Sequence, residues 1–137
     1  MTLKTLGIGV GCVVLAFALG WYVGASNRAD LAAQLEQTML RADAAEVRAS
    51  IQDARLSLID SNFGEARRAI QRARAIAQRV DARLRTLGQP DRAAGVQDVI
   101  TQLDEADGLS AALNPTAADT AAAALRTLES SVPTVGP

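Results

Sequence analysis

From Leu6 to Ala25 the chain reads LGIGVGCVVLAFALGWYVGA, twenty residues without a charge, an amide or a proline. At about 1.5 Å of rise per residue, such a run crosses a hydrocarbon core of roughly 30 Å as a single helix. The expected organisation follows from it: a transmembrane anchor over 1–27, a helical extramembrane domain over 28–132 and a tail over 133–137. Of the 137 residues, those beyond the anchor suffice for one small domain with a single core. Lys4 gives the run a positive flank, and Val23-Gly24-Ala25 has the small residues of a cleavage site. A secreted helical protein with a cleaved signal peptide is therefore the alternative. Retention is favoured because the apolar core is longer than a secretory one, and Trp21 and Tyr22 stand where an interfacial anchor belongs.

Small residues recur at every fourth position, Cys12, Ala16, Gly20 and Gly24, along one face of that helix. Such a face lets other transmembrane helices approach closely. No charged group or histidine interrupts it, so the span is expected to anchor and pack, and to conduct nothing. The short basic N-terminus reads as a signal anchor. The expected placement is a single-pass protein of a bacterial inner membrane with its C-terminal domain on the periplasmic side.

Beyond the span nearly every window favours helix, because alanine and arginine are abundant and aromatics are 3% of the chain. The fold class is all-α: the anchor, then a bundle of about four antiparallel helices. Leu40, Ala44, Val47, Ile51, Ala54 and Leu58 alternate steps of four and three between Asp30 and Asp60, and Leu31 and Leu35 extend the series backwards. Ser61-Asn62-Phe63-Gly64-Glu65 breaks it, with Asn62 and Glu65 spaced as a capping box. Phe63, Ala66, Ile70, Ala73, Ala77, Val80, Leu84 and Leu87 form the next face, closed by Gly88. Pro90 opens a third helix carrying Val96, Ile100 and Leu103 towards Leu109 and Leu113, with Gly108 as a kink or break. Asn114-Pro115 starts the last, with Ala118, Ala121, Leu125, Leu128 and Val132 inward.

Charge is segregated between these helices. From Gly64 to Arg92 eight arginines stand against Glu65, Asp81 and Asp91, whereas from Ala93 onward six carboxylates stand against Arg126. The two sets pair with each other if their helices are neighbours. Alternatively Arg67, Arg68, Arg72, Arg74, Arg79, Arg83 and Arg85 form a docking surface for an acidic protein or lipid headgroups. Nucleic acid is not expected, given a sequence pI of about 5.4 and no aromatics among the arginines.

The segment Ser61-Asn62-Phe63-Gly64-Glu65-Ala66, with Ile70, Ala73 and Ile76, resembles the second half of a tetratricopeptide repeat. The likeness covers residues 61–76. Upstream, Ser50, Asp53, Ala54 and Ser57 replace that family's aromatic, leucine, glycine and tyrosine, Gln78 replaces its closing proline, and no second copy is present. The resemblance implies a helical hairpin and a peptide-binding or scaffolding role, with no catalytic residues.

With no histidine, one cysteine inside the apolar run and no glycine-rich loop after a strand, the sequence offers no nucleophile–base pair, metal site or cofactor site. An enzyme is not expected. The leading expectation is a structural or assembly subunit of a multi-subunit membrane complex, such as a respiratory or photosynthetic one, with lipid and other transmembrane helices as partners. The rival is a membrane-tethered, tetratricopeptide-like adaptor that takes an acidic soluble partner on its arginines.

Overall fold

The computed structural model describes residues 31–133. The chain is all-α, with element order α1 (Leu3–Ile59), α2 (Phe63–Thr86), α3 (Pro90–Ala111) and α4 (Ala117–Ser131). It divides into two units, Met1–Gln37 and Thr38–Pro137. Among the described residues no helix is long and apolar enough to cross a membrane. The apolar run Leu6 to Ala25, with Cys12, Ala16, Gly20, Gly24, Trp21 and Tyr22, lies outside them.

In the second unit the four helices run alternately up and down. α2 lies against α3, and α3 against α4. Arg83 of α2 reaches Asp43 of α1, and Arg48 of α1 reaches the Val132 carbonyl at the end of α4, so α1 has a neighbour on either side. The sequence period sets the seam. All six of Leu40, Ala44, Val47, Ile51, Ala54 and Leu58 are buried, as are Ala66, Ile70, Ala73, Ala77, Val80 and Leu84 from α2. α3 contributes Val96, Val99, Ile100 and Leu103, and α4 contributes Ala121, Ala124, Leu125 and Leu128. Each fully buried Ile or Leu among them stabilises by about 1.5–3 kcal/mol. The many alanines hold the helices close and add little each. Ser110, the one fully buried polar side chain named among the described residues, donates to the Ala106 carbonyl at 2.7 Å and leaves no orphaned hydroxyl.

Three expectations fail. Gly108 does not break α3, which runs on to Ala111. A glycine costs only about 1 kcal/mol in a helix interior, and the buried Ala106 and Ser110 hold the turn on either side. Leu113 is not on the α3 face but beyond its end, exposed. Leu31 and Leu35 are exposed as well, although they continue the spacing of the buried face.

One capping geometry ends α1, α2 and α3 alike. A residue of positive φ follows each helix: Ser61 (φ 57), Gly88 (φ 68) and Leu113 (φ 54). Its amide donates three residues back, to Leu58, Arg85 and Ser110, and the next amide donates five back, to Ser57, Leu84 and Leu109. Those two bonds satisfy carbonyls that the helix end would otherwise orphan. Only Gly88 adopts the left-handed conformation without steric cost. Ser61 and Leu113 each sacrifice roughly 1 kcal/mol for it. The residue after the cap starts the next helix promptly: Asn62 accepts from the Glu65 amide at 3.3 Å, and Gln89 precedes Pro90 at the first position of α3.

Candidate functional site

The arginines of α2 are sorted by helix geometry onto its flanks. Arg67 and Arg74, seven positions apart, fall on the side of α3, where Arg67 Nε meets Asp107 Oδ1 at 3.1 Å and Arg74 Nε meets Asp104 Oδ1 at 2.8 Å. Arg79 and Arg83, four apart, fall on the side of α1 and share Asp43, at 3.5 and 3.0 Å, with Glu46 at 3.8 Å from Arg79. Arg68 and Arg85 pair along α2 itself, with Glu65 and Asp81. Of the seven arginines singled out by sequence, only Arg72 has no ion pair among the described residues. Of the six carboxylates beyond Ala93, Asp104 and Asp107 thus take arginines of α2, while the other paired arginines turn to α1 or to α2 itself. These pairs are partly exposed, each worth about 0–1 kcal/mol, and they fix register more than they stabilise.

Local electrostatics follow the same geometry. The hydrogen bond and charge of Arg68 hold the Glu65 carboxyl below its ordinary pKa. Bonding to Asp81 raises that of Arg85. Burial lowers the pKa of Arg48, with Glu129 acting against it.

A second constellation has no counterpart in the sequence reading. α4 carries no basic residue in its last turn, yet its terminal carbonyls, where the helix dipole is negative, receive two guanidinium groups. Arg92 Nε donates to the Ser131 carbonyl at 2.9 Å, and Arg48 Nη2 donates to the Val132 carbonyl. Arg92 is steadied by Gln89, whose Oε1 accepts from Nη1 at 2.6 Å. The sequence shows Arg41, Arg48 and Arg55 at seven-residue spacing, one flank of α1, but gives no sign that the middle one reaches a carbonyl 84 residues away. Among the described residues no three acidic, thiol or imidazole groups converge on a metal-sized point. What the bundle presents is surface. Most α2 arginines are paired, and the large exposed apolar side chains are Leu31, Leu35 and Met39 early in the described part of α1, Leu56 and Ile59 at its end, and Leu113 after α3.

Compared with protein-family models, with curated proteins and with solved structures, the chain matches none.

Proposed function

We propose that this protein is a non-catalytic structural or assembly subunit of a multi-subunit membrane complex, anchored by the apolar run Leu6 to Ala25 and contacting partners through its helical bundle. The observation that carries the reading is the uncharged twenty-residue apolar run Leu6 to Ala25, which stands in the sequence ahead of a chain whose described residues fold as packed helices. Supporting it, six of the seven arginines offered as an adaptor surface are spent on holding α2 to its neighbours or on local pairs. That favours a structural role over capture of an acidic soluble partner. The face Cys12, Ala16, Gly20 and Gly24 is proposed to pack against other transmembrane helices.

The test is extraction in a mild detergent followed by size separation and mass spectrometry. Stable co-migration with defined membrane proteins is expected. A chain that migrates alone sinks the proposal, and a mature protein that begins after Ala25 replaces it with the secreted alternative.

A further inference from the structure

The outward side of α1 carries a second apolar series that the bundle does not use. Ala42, Ala45, Ala49, Gln52, Leu56 and Ile59 follow steps of three and four, and every one is exposed. Ala42, Ala49 and Leu56 each stand two residues beyond a buried one, Leu40, Val47 and Ala54, which is about 200° round a helix of 3.6 residues per turn. The series is therefore turned away from the core. Leu56 and Ile59 stand in it at 62% and 69% exposure. In sequence the alternation runs back through Thr38 to Leu35 and Leu31, whereas Leu40 lies five positions beyond Leu35. A helix with one such series inside a bundle and another outside it has the pattern of a coiled-coil strand as well as of a bundle helix.

The charges beside this series are sorted by sign. One position before Ala42, Ala49 and Leu56 stand Arg41, Arg48 and Arg55, and one position after Ala45, Gln52 and Ile59 stand Glu46, Asp53 and Asp60. One edge of the face is thus basic and the other acidic. The bundle engages only two of these groups. Arg48 reaches the Val132 carbonyl, and Glu46, at 61% exposure, lies 3.8 Å from Arg79. Arg41, Arg55, Asp53 and Asp60 have no ion pair among the described residues.

That sorting selects both the occupant and its direction. When two heptad strands lie parallel and in register, the charged residue ahead of a core position faces the residue five further on in the other strand. Arg41 then faces Glu46 of the second copy and Arg55 faces Asp60 of the second copy, each twice over by symmetry. In an antiparallel pair the like edges meet, arginine on arginine and carboxylate on carboxylate. A face that complements itself suits a two-fold interface. We propose that α1 pairs with α1 of a second copy as a parallel coiled coil along Ala42 to Ile59, the alanines bringing the helices close and Leu56 and Ile59 packing its far end. Two copies anchored in one bilayer, as read above, are parallel as well, but the charges require it without the anchor.

The test uses the full chain with Cys12→Ser, into which Ala42→Cys, Ala49→Cys or, on the exposed side of α3, Thr101→Cys is introduced, each oxidised in mild detergent. Disulfide-linked dimers are expected at both α1 positions, about fivefold or more above Thr101→Cys. An antiparallel pair allows at most one of the two. In sedimentation of the Cys12→Ser chain, Arg55→Glu or Asp60→Arg alone should weaken the dimer about tenfold, and the two together should restore it to within about twofold. Crosslinking no greater than the control, crosslinking at only one α1 position or to a different protein, or a charge exchange that restores nothing overturns the proposal. A chain that crosslinks at both positions but co-purifies with no other protein keeps this pairing and removes the subunit reading. The reverse result keeps that reading and removes the pairing.

Discussion

Gly95 of α3 lies against Ser131 of α4 so closely that a Cβ added to it would fall 2.1 Å from Ser131 Oγ and 2.8 Å from Ser131 Cβ. Backbone meets side chain at this crossing with no room for a methyl group. Gly95→Ala is therefore expected to destabilise by about 1–3 kcal/mol despite alanine's better helix propensity, because the end of α4 must shift. Ser131→Gly should recover part of the loss. A double-mutant cycle in thermal unfolding measures the coupling, and additive losses would show that the two residues do not interact.

The guanidinium groups on the α4 carbonyls make a separate expectation. Arg92→Ala removes the bond to the Ser131 carbonyl and leaves that one terminal carbonyl without its guanidinium donor, at about 1–2 kcal/mol. Hydrogen exchange should quicken at the last amides of α4 before it quickens in α2. Uniform quickening throughout the bundle would mean that the contact contributes to global stability and not to the seating of α4.

Ser61 pays for its left-handed conformation without the apolar exposure that distinguishes Leu113. Ser61→Gly is expected to stabilise by about 0.5–1 kcal/mol, read as a higher urea midpoint at unchanged slope. A fall in the midpoint would show that the serine hydroxyl has a role at the α1–α2 turn beyond backbone geometry.

Glu65 carries a pH expectation. Its folded pKa is lowered, first by the hydrogen bond from Arg68 and then by that residue's charge. A lowered carboxyl pKa adds stability above the unfolded-state pKa, and that stability is lost as pH falls through the folded value. The pair is exposed, so the effect on unfolding is small, and NMR titration of the side chain is the sensitive measurement. Glu65 should titrate below its ordinary value, and Arg68→Ala should return it there. An unmoved titration in that variant would assign the shift to another neighbour.

Much of the architecture could be read from residue spacing. The faces of α1 and α2, the Asn62 cap, Gly88 and Pro90 are local signals, and each falls where its chemistry demands. Leu113 misled because apolarity at helical spacing does not reveal where the helix stops. The cap that ends α3 is a backbone motif, and only when glycine fills it, as at Gly88, does the sequence show it. Leu31 and Leu35 misled for a related reason, since periodicity marks a face but not whether anything covers it. The arginines were visible as charge, whereas their partners Asp43, Asp104 and Asp107 became assignable only once helix neighbours were known. Arg48 and Arg92 were beyond reach, because a side chain that seeks a distant carbonyl leaves no residue pattern at the acceptor.

The contact of Arg48 with the Val132 carbonyl joins positions 84 residues apart, whereas Arg92 and Ser131 are separated by 39 and the α2–α3 bridge from Arg67 to Asp107 by 40. Closing the longer loop carries the larger entropic cost and comes late in folding. The three hairpins α1–α2, α2–α3 and α3–α4 each close over about 40 residues, and on loop-closure entropy alone the seam between α1 and α4 is expected to form after them. The chain's two ends of the bundle are thereby tied to each other through a single guanidinium among the described residues, so the α1–α4 seam is expected to exchange its amides sooner than the α2–α3 seam, which hydrogen exchange checks.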